Sequence, residues 1–168
     1  MEYEKVIRER KATRLFSKKS VEQEKIDMIL EAGRVAPTAK NSQAFKIYVV
    51  NTEEGLAKID KATICRYKAP LVFIICGDKD KAYKKDNEPK YEIDACIVTT
   101  HMMLEATNVG LDNIWIEMFK EDVLRSEFDI PENLVPVALL PVGYKAKLCP
   151  PSPLHKIRKN IQELVIYK

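Results

Sequence analysis

Three cationic side chains lie within five residues near the start of the chain, at Arg10, Lys11 and Arg14. Such a cluster suits an anion, because arginine and lysine bind phosphate through charged hydrogen bonds. The five glycines are too dispersed for a dinucleotide fingerprint or a P-loop, so side chains would have to hold a phosphate. Basic residues at the end of a first helix can also simply complement its dipole. On this segment alone both interpretations stay open.

Two further segments have the composition of binding sites. Residues 37–43 form a polar loop whose amide and hydroxyl side chains can donate and accept hydrogen bonds at the edge of a flat heterocycle. A loop of this kind also commonly just turns the chain between a helix and a strand. Near the C-terminus a proline-rich stretch precedes a second basic cluster, formed by His155, Lys156, Arg158 and Lys159. This cluster could neutralise the same anion as the first.

Several other functions are disfavoured by the composition. The four cysteines form no CxxC pair, which argues against a zinc site or a redox dithiol, and the two histidines are too isolated to suggest a catalytic triad. A net charge of +3 with alternating signs gives no nucleic-acid signal, and no apolar run is long enough to span a membrane. The N-terminus lacks a secretory signal. We therefore expect a cytoplasmic protein that binds neither nucleic acid nor membrane and holds no metal.

The hydrophobic periodicity predicts helices and strands in alternation. Ser20 and Gln23 have the spacing of a capping box, and Thr52 precedes another helical pattern. The charged segment 78–90 is interpreted as a solvated loop or the frayed start of a helix. The predicted helices cover residues 3–10, 20–36, 52–61, 91–109 and 120–128, and the predicted strands cover 45–50, 71–77, 115–119 and 134–143. The last strand contains prolines, which indicates an edge or bulged position. The whole chain, 1–168, is predicted to be one α+β domain with a mixed sheet.

Four segments, taken in order, resemble signatures of the nitroreductase family of flavoproteins. Residues 10–16 resemble R-x-S-x-R/K followed by Phe, and residues 36–45 resemble A-P-S-x-x-N-x-Q-P-W. The helix from Asp94 leads to a Trp-Ile-Glu-Met-Phe segment at 115–119, similar to W-I-E-x-F in the family. Gly143-Tyr144 and residues 158–165 are similar to its ending. The resemblance extends over nearly the whole chain.

This resemblance implies a fold and an activity. The fold would be nitroreductase-like, with a mixed, mostly antiparallel sheet, and a C-terminal arm at about 149–168 would pack on the partner chain of a homodimer. FMN would lie at the dimer interface, accept hydride at N5 from NADH or NADPH, and reduce a nitroaromatic, a quinone or a similar small acceptor by a ping-pong mechanism. Two alternatives stay open: a non-catalytic FMN-binding or sensor protein, and a relative that uses reduced flavin for other chemistry, such as dehalogenation.

The resemblance also assigns roles to residues, none of them a catalytic side chain. The FMN phosphate would be surrounded by Arg10, Arg14 and Arg158, with Lys11 and Lys159 assisting, and Ala12 would also lie at the cofactor. The partner chain would line the isoalloxazine with Pro37, Thr38, Ala39, Asn41 and Gln43. Glu117 and Met118 would border flavin N5, where a backbone N–H is the expected donor. Either Arg66 or Lys68 would place a positive charge near N1 and O2.

The chain departs from the family pattern in ways that affect the expected site. Ala12 stands where the family has Ser, so one hydroxyl contact should be missing, and FMN affinity should depend strongly on salt. Ala44 and Phe45 replace a Pro-Trp pair. The chain is also shorter than typical members, with most of the deficit between Ile59 and Glu92, where the family often carries a helical excursion over the active site, so the sequence does not identify the acceptor.

Overall fold

The computed structural model describes residues 2–168, which contain both helices and strands. In chain order the elements are α1 (Tyr3–Glu9), α2 (Gln23–Arg34), β1 (Phe45–Val50), α3 (Glu53–Ala62), β2 (Leu71–Asp78), β3 (Lys84–Lys85), β4 (Glu88–Pro89), α4 (Tyr91–Asn108), β5 (Asp112–Asn113), α5 (Glu121–Phe128) and β6 (Leu134–Gly143). Short 3-10 turns occupy Ala39–Asn41, Pro153–Lys156 and Ile161–Glu163. No helix within these residues has the length and apolar character needed to cross a membrane.

The central sheet has the strand order β1-β2-β6-β5, and every strand pair in it is antiparallel. Strand β2 is buried along its whole length, as its apolar sequence predicts. Because side chains alternate across a strand, Phe73 and Ile75 pack with α2 and α4 on one face, while Val72 and Ile74 pack with α3 and α5 on the other. One strand therefore joins two hydrophobic layers.

Several sequence predictions are confirmed in detail. Strand β1 has the predicted bounds, and α4 ends at Asn108, one residue before the predicted boundary. Gly110 follows with a φ of +79°, a conformation that glycine adopts without strain. The Thr52 hydroxyl caps α3 by accepting the Gly55 N–H at 3.1 Å.

The predicted capping box at Ser20 is wrong. Helix α2 starts at Gln23, its N-cap is Glu22, and no side chain caps it. The Glu22 carboxylate instead accepts a hydrogen bond from the Tyr144 hydroxyl at 2.7 Å and lies 3.0 Å from Lys19 Nζ. A tertiary contact to Tyr144, which directly follows β6, therefore holds the N-cap side chain of this helix. The helix also ends at Arg34, earlier than the predicted Ala36.

Two segments between the main elements differ from their predictions. Residues 115–119 form no strand: only Ile116 pairs with Leu139, as an isolated bridge. The charged segment 78–90 contains the β3–β4 hairpin, whose two central residues, Asp86 and Asn87, have φ values of +54° and +66°. Positive φ at both positions is the signature of a type I′ turn, which Asn and Asp tolerate well. The Asp86-Asn87 pair was therefore the sequence feature that could have predicted this hairpin.

Strand β6 is bulged, as predicted, but it is not at an edge. It lies between β2 and β5, and Val137 is the extra residue, because Ile75 pairs with Ala138 while Cys76 pairs with Pro136. The bulge accommodates a proline inside the sheet. The expected parallel pairing of a mixed sheet is reduced to one isolated bridge, between Ala12 and Asn113.

The four cysteines are free thiols. Cys65 and Cys76 are buried in the core between the sheet and the α3/α5 layer. Burial raises the pKa of the Cys76 thiol to about 12, so this thiol stays protonated and behaves as a small apolar side chain.

We expect Tyr144→Phe to raise the pKa of Glu22 toward its ordinary value of 4.5. In the native protein the pKa of Glu22 is lowered to about 2, first of all by the hydrogen bond from the Tyr144 hydroxyl. A lowered native pKa stabilises the fold above the unfolded-state pKa, and this contribution is lost as the pH falls through about 2. NMR titration of the Glu22 carboxyl measures the change, with Tyr3→Phe as an exposed control. An unchanged Glu22 pKa in Tyr144→Phe would contradict this account.

Candidate functional site

The two predicted basic clusters lie together in the structure. Arg10 is the first residue after α1, and its guanidinium is partly buried. Burial lowers the pKa of Arg10, and the charge of the nearby Arg158 lowers it further. The Arg158 guanidinium donates to the carbonyl of Ile157 at 2.6 Å, within its own arm. Residues 148 positions apart in sequence thus bring two like charges close to each other.

The arginines of the predicted phosphate site differ from the other arginines of the chain in lacking carboxylate partners within the described residues. The chain has seven arginines, and four of them form ion pairs with carboxylates: Arg8, Arg34, Arg66 and Arg125. Within residues 2–168, the three with no such ion pair are Arg10, Arg14 and Arg158. Unpaired arginines on a surface where most others are paired leave charge available for an external anion.

Arg14 contacts the turn that precedes β2. Its guanidinium lies beside the Tyr67 hydroxyl and opposes the rise in the pKa of Tyr67 caused by the Cys65 hydrogen bond and by burial. The Tyr67 hydroxyl donates to Cys65 Sγ at 3.5 Å, and the Tyr67 carbonyl accepts the Phe16 N–H at 3.1 Å. The first cationic segment is therefore fixed against residues 65–67.

Two of the predicted cations have structural partners instead. Lys11 Nζ lies 3.3 Å from Asp112 Oδ1, which also accepts the Thr13 hydroxyl at 3.1 Å. Arg66 donates through Nε to Asp60 at 2.6 Å and through a terminal nitrogen to the Ala69 carbonyl at 2.8 Å. Lys68 is exposed and forms no ion pair in the described chain.

The polar loop 37–43 is held in a strained conformation by helix α4. Lys40, Asn41 and Gln43 have φ values of +53°, +53° and +48°, and a non-glycine residue in this region costs about 1–3 kcal/mol. Asp94, buried in the first turn of α4, accepts the Ala39 N–H at 3.0 Å and the Ser42 hydroxyl at 3.3 Å. These bonds offset part of the strain.

Within the loop, the Thr38 hydroxyl accepts the Gln43 N–H at 3.0 Å, so this side chain closes the turn. The side chains of Pro37 and Asn41 remain exposed. Among the described residues, no hydrogen bond or ion pair joins this loop to Arg10, Arg14 or Arg158. One chain therefore does not bring its own loop into bonding contact with its own cations.

The segment around Glu117 presents unused backbone donors. Both Glu117 and Met118 are exposed, and in the described part of the chain neither of their N–H groups has an intramolecular acceptor. The Glu117 carboxylate accepts the Trp115 indole N–H at 3.0 Å. Its charge also contributes, after burial, to the raised pKa of Cys96 on α4, which places Glu117 near that helix. Two free N–H groups suit an acceptor atom of a bound heterocycle.

Sequence reasoning missed the supporting residues of this site. Asp94 was part of a recognised motif but had no role, and its burial and bonds identify it as the anchor of the loop. Thr63 gave no signal, yet its hydroxyl donates to the Met118 carbonyl at 2.6 Å. A threonine that follows a helix is too common for the sequence alone to assign it a partner 55 residues away.

The fold and the site geometry define an α+β protein in which cationic side chains from near both ends of the chain, Arg10 and Arg158, lie close together. The sequence matches the nitroreductase family over residues 7–68 and 65–144, which is most of the chain. The chain belongs to the nitroreductase family, and the predicted class, a nitroreductase-type oxidoreductase, is confirmed.

Solved structures and curated proteins agree with this assignment. The chain is similar to a nitroreductase family protein from Clostridium difficile 630, with a TM-score of 0.93, 38% identity, and coverage of 100% of this chain and 99% of that one. It is 27% identical over 155 residues to a Methanothermobacter thermautotrophicus protein with the provisional name NADH dehydrogenase/NAD(P)H nitroreductase, covering 88% of this chain and 79% of the relative. A provisional nitroreductase of Exiguobacterium sibiricum 255-15, solved with FMN, shares the fold at a TM-score of 0.83 and 21% identity, with coverage of 100% and 98%.

We expect Asp94→Ala to destabilise the protein by about 1–3 kcal/mol, because the Ala39 N–H and the Ser42 hydroxyl would lose their acceptor. Cleavage within residues 38–43 by a nonspecific protease should also become faster. Urea unfolding and limited proteolysis measure the two effects. Glu92→Ala, which removes an exposed carboxylate from the same helical turn, is the matched control. Equal losses in both variants would contradict an anchoring role for Asp94.

Proposed function

We propose that this protein is an FMN-dependent oxidoreductase that takes hydride from NADH or NADPH and reduces a nitroaromatic, a quinone or a similar electron-poor acceptor by a ping-pong mechanism. The observation that carries the proposal is the set of three arginines, Arg10, Arg14 and Arg158, that form no ion pair with a carboxylate within residues 2–168. The family match and the FMN complex of a protein with the same fold support it. Bound FMN would supply the hydride-accepting N5 atom, and the protein supplies position and charge.

The phosphate end of the cofactor is assigned to the cations at the two chain ends. Arg10 and Arg158 repel each other, and a phosphate between them would replace that repulsion with two charged hydrogen bonds. Arg14 and the exposed Lys159 add charge at the same end. Lys11 contributes less, because Asp112 already pairs with it. Such a bond is worth about 1.5–3 kcal/mol when it is partly shielded from water.

The ring end is assigned to Glu117, Met118 and Lys68. The free backbone N–H groups of Glu117 and Met118 would donate to N5, and the Glu117 side chain would keep its hydrogen bond with Trp115. Of the two candidates for the cation near N1 and O2, Lys68 is favoured over Arg66, whose guanidinium is held by Asp60 and the Ala69 carbonyl. A positive charge there stabilises the negative charge that reduction places on this edge.

The proposed active form is a homodimer with two interfacial sites. Helix α4 is apolar on average with little segregation of polar side chains, a pattern typical of a helix covered on all sides. One side of it packs on the sheet, but Ile93 on the outer side is 58% exposed. A second copy would cover this side. It would also bring the partner's residues 37–43, with Pro37, Thr38, Ala39, Asn41 and Gln43, along the flavin ring.

The C-terminal arm, residues 149–168, is proposed to pack on the partner chain. Its apolar side chains are exposed in the single chain, with Ile157, Ile161 and Leu164 all above 60%. A groove of about 600 Å³ beside α2 has an apolar floor, formed in part by Met28 and Val35, and an acidic rim formed by Glu24, Asp27, Glu31 and Glu105. An apolar arm with basic residues complements such a groove in both respects.

The two alternative functions predict different behaviour of the same cofactor. A non-catalytic FMN-binding or sensor protein would bind FMN without rapid reduction by a nicotinamide, and the short β3–β4 hairpin, which leaves the acceptor side open, is the feature that favours this alternative. A relative with other reduced-flavin chemistry, such as dehalogenation, would be reduced but would not pass its electrons to nitroaromatics or quinones. The rates of flavin reduction and reoxidation therefore distinguish the proposed function from the two alternatives.

We expect the purified protein to be yellow and to lose its flavin absorbance within seconds when mixed anaerobically with NADH or NADPH. Addition of a nitrobenzoate or a benzoquinone should then restore the absorbance. Stopped-flow spectroscopy measures both half-reactions. Failure of both nicotinamides to bleach the bound flavin would leave the sensor alternative, and a colourless protein that takes up no FMN on titration would rule out the proposal.

We expect complementation between two weakly binding variants if each site uses both chains. Arg158→Ala removes a cation and Asn41→Ala removes a loop side chain, so each homodimer should bind FMN roughly tenfold or more weakly. In a heterodimer purified with two different tags, one site would combine the intact cations of one chain with the intact loop of the other. Fluorescence titration should then find one tight FMN per heterodimer. If the heterodimer has no tight site, the cations and the loop of each site come from the same chain, and the shared arrangement is contradicted.

A further inference from the structure

The turn at residues 63–68 contacts both ends of the proposed cofactor site within one chain. At one end, the Tyr67 hydroxyl lies beside the Arg14 guanidinium and the Tyr67 carbonyl accepts the Phe16 N–H. At the other end, the Thr63 hydroxyl donates to the Met118 carbonyl. Tyr67 and Lys68 have φ values of +54° and +63°, so the turn contains two consecutive strained residues. Strain of this kind persists where surrounding contacts fix the backbone, and strained residues cluster at functional sites.

Thr63 is the residue of this turn that fixes the Met118 backbone. Its side chain is buried, and its hydroxyl donates at 2.6 Å to Met118 while accepting the Cys65 N–H at 3.0 Å. Because the Cys65 N–H occupies an acceptor position, the hydroxyl hydrogen is directed to the Met118 carbonyl. Two residues later, the Lys120 N–H bonds to the Ala62 carbonyl at 2.9 Å. The segment 118–120 is thus attached at two points to the end of α3.

The attachment of residues 118–120 to the end of α3 affects the orientation of the free N–H groups of Glu117 and Met118. The Met118 N–H and carbonyl belong to two peptide planes that meet at one Cα, so a fixed carbonyl restricts the rotation that would turn the N–H away. The Glu117 carbonyl, which shares a peptide plane with the Met118 N–H, accepts the Phe119 N–H at 3.1 Å, and the Phe119 N–H shares a plane with the Met118 carbonyl that Thr63 holds. Both residues are exposed, so packing does not hold them.

We propose that Thr63 is a positioning residue that holds the Glu117 and Met118 N–H groups on flavin N5. The inference rests on the proposed function and extends it to a residue that would not itself contact the cofactor. A backbone N–H stabilises oxidised N5, which accepts a hydrogen bond, but not reduced N5, which carries its own hydrogen. Loss of the alignment therefore raises the midpoint potential of the bound flavin and slows hydride transfer by roughly tenfold to a hundredfold.

Three variants test the inference. Thr63→Val keeps the shape of the side chain and removes the hydroxyl, whereas Thr63→Ser keeps the hydroxyl. Thr99→Val is the matched control, because Thr99 is fully buried and its hydroxyl also donates to a backbone carbonyl, that of Ala95, at 2.7 Å. The readouts are the midpoint potential of bound FMN and the hydrogen–deuterium exchange of the amides at 117–120, each compared with the unaltered protein.

We expect FMN to slow amide exchange at Glu117 and Met118 in the unaltered protein. Thr63→Val should raise the potential and lose most of this protection, whereas Thr63→Ser and Thr99→Val should keep both. The inference is overturned if Thr63→Val retains the potential and the protection, or if Thr99→Val changes them equally. If Thr63→Val does not fold, absence of FMN protection at 117–118 in the unaltered protein still overturns the inference. A protein that binds no FMN at all refutes the proposed function instead, so the two failures are distinct.

Discussion

The repulsion between Arg10 and Arg158 is the constraint on which the proposed site depends. Two guanidinium groups from opposite ends of the chain lie close enough for one to lower the pKa of the other, and neither has a carboxylate partner among residues 2–168. Of the other five arginines, Arg14 also lacks such a partner in the described chain, and the remaining four form ion pairs with carboxylates. A fold that holds two cations together in this way is more stable when an anion lies between them. The uncompensated charge of these two guanidinium groups is therefore consistent with an anionic ligand.

The rest of the site consists of exposed segments held by buried or engaged side chains. Asp94 holds the loop 37–43, Thr63 holds the Met118 backbone, and Asp60 holds Arg66 in the turn before β2. Each anchor belongs to a regular helix or to the residue directly after one. The contacts to a ligand would come from loops, while the precision of those contacts comes from the helices behind them. This division explains why the loops can keep non-glycine residues at positive φ.

The sequence was sufficient for the parts of the fold that local pattern determines. The apolar strand β2, the strand β1 and the long helix α4 were predicted nearly to the residue, because burial imposes a clear period on each. The start of α2 was missed, since the helix begins without a side-chain cap and the side chain of its N-cap residue, Glu22, bonds to the distant Tyr144 instead. The segment 115–119 looks like a strand by composition, but its backbone pairs with β6 only at Ile116, and the Phe119 N–H bonds to the Glu117 carbonyl in a local turn. Anchors such as Asp94 and Thr63 depend on distant partners, which no local pattern reveals.

The β3–β4 hairpin has a consequence for how this scaffold can be varied. Its chain enters and leaves through two adjacent short strands joined by only Asp86 and Asn87, and both residues are exposed. A surface turn with this geometry tolerates insertion well, because the ends of a longer segment would start side by side. The hairpin also borders a groove of about 490 Å³ that includes Ala39 and Tyr83. A segment inserted at residues 86–87 would therefore start beside this groove, which makes the hairpin a suitable point at which to add a cover to it.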